Sequence, residues 1–444
     1  MKIVIIGAGL TGLYLASMLK SLNIDFEIYE KSSRPGGKIK TINIFNTNIE
    51  CGSEIIQPHH FNLIHLLKFL KIKSETINGR KLLSLVENLS EEKFNKLLRK
   101  ILNTYKQTNP LPSNMSAYIY FQSILTISEF NFFKSHIFLA EDLLQNEISD
   151  YMKFLFFDLK LTNHYQCLNK IPTKFNCTMN KYIKINEGAQ LITDKLASLV
   201  QEKLNLNHMV QEITYMPLTN SYLLMINDVY INAHKVILAT NSNIQNIRLN
   251  LPKPILNSIF NIRSFESIKI FTQHEKSVLD YIKLNDLIQT QSIFTNICPV
   301  SEKVLSISYV YGSKADLLYN LLAGSDSVTD SRTETNSMTN KSKTIQILNK
   351  LLRNISGISF PPIKDFAFCH WANGFHINTK PIKTNFWSDY NLILAGEWVH
   401  PYHNTLEGAC ISSKETFNII SKPLFVDKLR HSPDKIKSID ENRK

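Results

Sequence analysis

Three absences bound this sequence. No C-x-x-C pair and no Cys/His metal spacing occurs among the six cysteines, Cys51, Cys167, Cys177, Cys298, Cys369 and Cys410. That excludes a zinc module and a redox dithiol motif. It predicts reduced thiols in a reducing compartment, the cytoplasm, with no bound metal. No apolar run reaches the roughly 18 residues that a membrane-spanning helix needs. The stretch Phe130 to Ala140 is cut by Lys134 and His136, so no integral membrane segment is expected. No basic run is interleaved with aromatics in the manner of a base-stacking surface. The formal net charge of +12 is therefore read as a Lys-, Asn- and Ile-rich composition, not as a nucleic-acid footprint. The basic tail, residues 423–444, reads as a frayed terminus, with weak peripheral contact to an anionic membrane as the other reading. What remains is a globular chain, 43% hydrophobic and 20% charged, with 444 residues. That length is enough for about two to three domains and a large core.

What is present is concentrated first at the N-terminus. Lys2 to Ile6 is an apolar, β-branched run that predicts a buried parallel strand. Gly7, Gly9 and Gly12 then space out G-x-G-x-x-G. A helix pattern follows over Thr11 to Leu22, with Leu13, Leu15, Ala16 and Leu19 on one side. A second strand, Phe26 to Tyr29, ends on Glu30. In a dinucleotide site each part has a task. Gly7 makes the tight turn, Gly9 lets backbone approach a pyrophosphate, and Gly12 lets helix and strand pack closely. The helix start attracts phosphates, and Glu30 can accept hydrogen bonds from ribose hydroxyls. Glycine triplets also occur in ordinary turns; the strand before, the helix after and the acid set this one apart. The glycines interrupt the apolar stretch and no small-x-small site follows, so a secretory leader is not expected.

The next residues narrow the nucleotide. Arg34-Pro35-Gly36-Gly37-Lys38 adds bare backbone and positive charge beside the pyrophosphate. Glu30, Arg34, Gly36, Gly37 and Lys38 together resemble the E-x-x-x-R-x-G-G-R signature of the FAD-dependent amine oxidase superfamily. That superfamily includes monoamine and polyamine oxidases, L-amino-acid oxidases, protoporphyrinogen oxidase and carotenoid desaturases. Lys38 stands where the signature has Arg, which keeps the charge but loses the bidentate fork.

Further segments extend the resemblance. Ile49 to Ser53 is similar to the family's acid-x-Gly-small segment beside the cofactor; a plain hairpin glycine at Gly52 is the other reading. Gly188, the helix carrying Leu191, Leu196 and Leu199, and a strand over Leu204 to Ile213 look like the segment whose valine, here Val210, meets the adenine. Ala233 to Thr240 reads as a buried strand, with His234 a surface histidine. At the far end, Asn391 to Glu397 predicts a buried strand ending on Gly396 and an acid. Thr405 to Ala409 then opens a helix over Cys410 to Ile420. This resembles the family's closing A-G-[ED]-x…E-G-A motif. There Glu397 would bind the ribitol and the helix start would face the flavin N1–C2=O edge.

The resemblance implies an α/β fold: a Rossmann-like FAD-binding domain (1–61, 181–249 and 366–422) interleaved with an α+β, helix-rich substrate domain (62–180 and 250–365). The implied cofactor contacts are Gly7, Gly9, Thr11, Gly12, Glu30, Arg34, Gly37, Lys38, Gly52, Ser53, Val210, Gly396, Glu397, Leu406 and Ala409. The implied cofactor is non-covalent FAD, because Phe375 occupies the place of the cysteine that covalent relatives use. Thr405 replaces one aromatic of the monoamine oxidase cage. The aromatic-dense stretch 62–180 supplies an apolar interior, and the polar stretch 323–343 predicts a flexible loop.

One residue bears on chemistry. Lys269, in Glu266 to Phe271, resembles the polyamine-oxidase lysine that holds water beside flavin N5; a snorkelling edge-strand lysine is the alternative. The expected activity is hydride transfer from a small-molecule substrate, an amine, to FAD, with reoxidation by oxygen. A desaturase or porphyrinogen-type oxidase on an apolar substrate, and a flavin-binding protein without turnover, are the competing readings.

Overall fold

The computed structural model describes residues 2–78, 82–84, 91–108, 115–136, 181–284, 286–289, 296–323, 338–378, 382–400 and 404–430, with 148, 152 and 294; within those spans 55, 59, 241–243 and 245 are excepted. A six-stranded sheet carries the N-terminal motif. Its order is Asn385–Phe386, Leu392–Leu394, Lys235–Leu238, Ile3–Ile6, Phe26–Tyr29, Leu204–Asn205. Every pairing is parallel except that of the edge strand Asn385–Phe386. A parallel sheet is covered on both faces, which is why Ile3, Val4 and Ile5 are all 0% exposed. Ile3 and Ile5 pack on one face with helix Leu10–Ser21, while Val4 and Ile6 pack on the other with Tyr222, Leu224 and Trp398.

Two ends of the chain complete one core. Helix Leu406–Arg430 lies against helix Leu10–Ser21, with Leu406, Ala409 and Cys410 in the same cluster as Leu13 and Ala16. Helix Phe61–Phe69 joins that cluster through Leu63, Leu66 and Leu67. The Glu407 carboxylate holds its start, accepting from the Asn62 and Leu63 amides at 3.0 and 2.8 Å. A four-stranded sheet, Val229–Ala233, Ser221–Ile226, Val210–Met216 and Arg248–Asn250, lies beside this core. The single strand expected over Leu204 to Ile213 is two strands in different sheets. Asn207, with φ +56°, turns the chain between them.

A second six-stranded sheet is built on the long pair Ile262–His274 and Ile363–Asn378. Ile268, Ile270, Phe366 and Phe368 face a core under helices Ser313–Leu322 and Met338–Ser356. The opposite face carries Phe271, Val304 and Cys369, covered by the hairpin Thr41–Ile44/Thr47–Glu50. The helix expected over Ile345 to Leu352 begins at Met338, inside the stretch read as a loop; residues 324–337 lie outside the described residues. The C-terminal helix, expected to end near Ile420, runs to Arg430, while 431–444 lie outside the described residues.

The expectation of reduced thiols throughout is corrected. Cys51 and Cys369 form a disulfide, with Cα atoms 5.4 Å apart across 318 residues. The two meet because the hairpin packs on the long strand, a contact that sequence spacing does not announce. Cys298 and Cys410 are buried and outside any disulfide among the described residues; Cys167 and Cys177 lie outside the described residues. No helix among the described residues is long and apolar enough to cross a membrane. No group of His, Cys, Asp or Glu among them is placed to hold a metal.

Candidate active site

The glycine motif forms the turn its spacing predicts. Gly7 has φ +107°, and a Cβ there would come 2.8 Å from the Ala239 carbonyl oxygen. A Cβ at Gly12 would come 2.1 Å from the Gly7 carbonyl oxygen, so helix and strand pack only with glycine. Gly9 differs: its Cβ would meet nothing within 4 Å, and it caps the helix with no side chain in the way. The helix start is thus left open on one side.

The acid and the second glycine pair brace that turn. The Glu30 carboxylate accepts from the Ala8 amide at 2.9 Å and the Ser32 amide at 2.9 Å, and is 8% exposed. Arg34 folds back onto its own loop, donating to the Pro35, Gly37 and Ile39 carbonyls at 2.7 to 3.0 Å. The Gly36 amide donates to the Ala8 carbonyl at 2.8 Å. Gly37, with φ +56°, brings bare backbone against Gly9: a Cβ on Gly37 would sit 3.3 Å from the Gly9 Cα. Arg34 therefore holds the loop that Gly37 presents.

The front and back of the chain meet at Lys38. Its ammonium pairs with Glu397 and lies 3.0 Å from His376 Nε2 and 3.2 Å from the Gly374 carbonyl. The Glu397 carboxylate also accepts from the Asn404 amide at 2.9 Å and lies 3.5 Å from His376 Nε2. Burial pushes the Glu397 carboxyl up, but the Lys38 ammonium outweighs it and holds the group well below the usual carboxylate range. Burial, and then the Lys38 charge, push the His376 imidazole below its ordinary value, so the ring is neutral. Asn404, with φ +58°, clips this cluster to the long strand through the His376 amide and carbonyl, both at 2.8 Å. Gly396, with φ +142°, leaves room for the Trp398 indole, and its amide donates to Ser412 Oγ at 2.9 Å. Ser413 Oγ donates to the Thr11 carbonyl at 3.1 Å, tying the last helix to the first. Leu406 and Ala409 are 4% and 5% exposed in the shared core.

Lys269 lies one layer away. It is 4% exposed, and its ammonium donates to the Glu50 and Gly52 carbonyls at 2.9 and 2.8 Å and pairs with Glu54 at 3.3 Å. The reading of Lys269 as an edge lysine snorkelling to solvent is thereby removed. Gly52 is pinned from both sides: a Cβ there would lie 1.6 Å from the Lys38 carbonyl oxygen. The Ser53 amide donates to that same carbonyl at 3.2 Å. Cys369 sits opposite Lys269 in the strand register, and Trp371 Nε1 donates to the Cys51 carbonyl at 2.9 Å. Val210 stands apart from these contacts, buried at the start of its strand opposite Ile226.

Glycines, Glu30, Arg34, Lys38, Glu397 and the start of the last helix thus form one connected region. Gly52, Ser53 and Lys269 adjoin it through the Lys38 carbonyl. Sequence reasoning missed Glu54, His376 and Asn404, and set Ser412 at the serine of the closing motif without giving it a role. His376 directly follows Phe375 in a stretch already singled out; Glu54 and Asn404 had no signal. The residues fit a flavin dinucleotide: an open, Cβ-free helix start suits a pyrophosphate, and a buried ring nitrogen, His376 Nδ1, has no partner among the described residues.

Comparison with known proteins agrees. A cofactor-binding redesign of putrescine oxidase is similar to this chain with a TM-score of 0.69 and 14% identity, over 95% of this chain and 99% of that one. Cyclohexylamine oxidase from Brevibacterium oxydans IH-35A gives 0.68 and 14%, over 95% and 99%. Putrescine oxidase bound to putrescine gives 0.63 and 14%, over the same shares. No curated protein matches the chain. The model of the flavin-containing amine oxidoreductases matches residues 10–416. By that match over most of its length, the chain belongs to the flavin-containing amine oxidoreductase family and is an FAD-dependent oxidoreductase of the amine oxidase type.

Proposed function

We propose that this enzyme oxidises a small primary or secondary amine at the carbon bearing nitrogen, with oxygen as the final acceptor. The single observation that carries the reading is the buried Lys269, paired with the half-buried Glu54 beside Gly52, one residue layer from the Lys38–Glu397 cluster. The solved structures named for putrescine and cyclohexylamine oxidation have the same fold, which supports an amine over an apolar polyene or porphyrinogen.

FAD, when bound, supplies a two-electron acceptor for the substrate hydride. We assign the pyrophosphate to the open face of Gly9 with Gly37 and the first turn at Thr11. Gly7 and Gly12 shape that turn, and Glu30 and Arg34 hold it. Val210 lines the adenine side, and Gly396, Glu397, Leu406 and Ala409 take the ribityl and ring end. Gly52 and Ser53 give a backbone wall. Phe375 in place of a cysteine supports non-covalent binding. Lys269 fixes that wall through two carbonyls, and Glu54 neutralises it. This leaves a charge-balanced edge at which an ordered water can add to the imine product. Lys269 is thereby the residue proposed on the reacting side.

We propose the division into a discontinuous FAD domain and a substrate domain, which the separate cores support; helix Phe61–Phe69 packs in the first core and strand Ile363–Asn378 in the second. We place the protein in the cytoplasm, without nucleic-acid partners. The Cys51–Cys369 pair is compatible with that, because both residues are at most 5% exposed and shielded from bulk reductant. The basic tail gives at most a weak membrane contact.

A visible spectrum of the purified protein, followed by anaerobic mixing with an amine panel, tests the reading. Bleaching of the flavin band by an amine, with peroxide release in air, is expected. A flavoprotein that no amine reduces, but an apolar polyene or porphyrinogen does, would overturn it.

A further inference from the structure

Buried polar atoms without a partner are uncommon in folded proteins, and each asks for an explanation. His376 Nδ1 is such an atom. The residue is 0% exposed, so water does not satisfy it from outside.

Its proton content follows from its neighbours. Nε2 lies 3.0 Å from the Lys38 ammonium. An ammonium has three protons and no acceptor, so Nε2 must offer its lone pair. A neutral imidazole that accepts at Nε2 carries its proton at Nδ1. The orphan atom is therefore a donor, an N–H with nothing among the described residues to receive it. Leaving such a donor buried and unpaired is unfavourable.

The ring is not free to turn away from this arrangement. Its backbone amide donates to Asn404 Oδ1, and its carbonyl accepts from Asn404 Nδ2, both at 2.8 Å. Nε2 is held between Lys38 and, at 3.5 Å, Glu397. Asn404 in turn precedes Thr405 and the start of helix Leu406–Arg430. The unpartnered edge is thus fixed within the cluster where both ends of the chain meet.

We infer that His376 is a cofactor-contact residue whose Nδ1–H donates to an acceptor atom of the bound flavin nucleotide: a ring carbonyl, a ring nitrogen or a ribityl oxygen. The inference rests on the assignment of the Lys38–Glu397 region to the cofactor. It makes Lys38 a positioning residue that sets the His376 tautomer.

The test uses the full-length protein, stripped of flavin and titrated with FAD. His376→Phe removes both ring nitrogens. His376→Gln keeps a polar group near Nε2 only, while His376→Asn keeps an amide near Nδ1. The Phe and Gln variants are expected to bind FAD about 10-fold more weakly, with a shifted visible spectrum of the bound flavin. The Asn variant is expected within about 3-fold of wild type. Nitrogen-15 correlation spectra of wild-type protein should give a protonated Nδ1, whose proton moves downfield when FAD is added. Phe and Gln variants that bind like wild type, with unchanged spectra, would overturn the inference while leaving the site assignment standing. So would an Nε2–H tautomer in the holoprotein. A wild-type protein that takes up no FAD would overturn the site assignment and the inference together. If the Phe variant does not fold, the tautomer and the Asn/Gln contrast decide.

Discussion

Lys38 and Glu397 are 359 positions apart and form a buried ion pair, with side chains 18% and 14% exposed. One follows the second glycine pair; the other ends the last strand before the C-terminal helix. A pair of this kind, with further bonds to His376 and the Asn404 amide, registers the two ends of the chain against each other. Removing one partner strands the other. Lys38→Met is expected to lower stability by about 3–5 kcal/mol. The double variant Lys38→Met/Glu397→Gln is expected to recover part of that. Chemical denaturation of the four proteins of this cycle measures the coupling.

Acid should weaken the same cluster. The Glu397 carboxyl is held below its ordinary value of 4.5, so it adds stability above that pH, and the contribution is lost as pH falls toward the folded value. His376 is held below its ordinary 6.5, so the unfolded chain takes up a proton first. Its contribution is likewise complete above 6.5 and declines below it. Melting temperatures should therefore fall from about pH 6.5 downward. In His376→Phe the upper part of that decline should flatten. A wild-type profile flat from pH 6.5 to 4.5 would contradict the His376 shift, and one flat below pH 4.5 would contradict the Glu397 shift.

The glycines separate folding from binding. Gly12→Ala places a methyl 2.1 Å from the Gly7 carbonyl, and Gly52→Ala places one 1.6 Å from the Lys38 carbonyl. Both are expected to destabilise the flavin-free protein by more than about 3 kcal/mol. Gly9→Ala meets no protein atom within 4 Å. It is expected to leave flavin-free stability within about 0.5 kcal/mol of wild type while weakening FAD binding at least about 10-fold. Urea titrations beside FAD titrations read the contrast.

Lys269 is expected to matter more for turnover than for folding. In Lys269→Met the Glu54 carboxylate loses its cation, and the Glu50 and Gly52 carbonyls lose a donor. Amine-dependent peroxide release is expected to fall about 100-fold. The companion Glu54→Gln keeps the ammonium and should lose less. Stopped-flow traces divide the loss between flavin reduction and reoxidation. Equal rates in Lys269→Met and wild type would assign the lysine to structure alone.

The disulfide can be counted. Thiols titrated in denaturant should rise by two after reduction, and Cys369→Ala should abolish the increase. Because the bond ties the segment before Gly52 to the strand carrying His376, its loss should also lower thermal stability. Identical thiol counts before and after reduction would remove the bond from the native protein.

Much of this was legible in the sequence at both ends, and for one physical reason. A position that must lack a Cβ admits only glycine, and Gly7, Gly12 and Gly396 announce themselves that way. Lys269 stood out as a cation among apolar residues on a strand, but its surroundings did not. Two of its partners are the backbone carbonyls of Glu50 and Gly52, and a carbonyl has no residue type to read. Asn404 and His376 are joined through backbone atoms in the same way. The Cys51–Cys369 bond was hidden by its separation of 318 residues. The break between Leu204 and Val210 was hidden by a turn that looks polar rather than abrupt. Much of the insertion over 62–180 lies outside the described residues, so its aromatic stretch has no structural reading here.

The first sheet has a consequence for synthesis. Its strand Leu392–Leu394 and the helix Leu406–Arg430 come at the far end of the chain, yet both pack into the cores shared by the strand and helix made first. At ordinary translation speeds, roughly 20–80 s pass between the emergence of Ile6 and that of Leu394. During that time the earliest apolar residues wait without their final cover. A nascent chain of this protein should therefore depend on chaperones until its last helix leaves the ribosome. Ribosome-bound chains truncated before Leu406 should stay protease-sensitive even with FAD in excess.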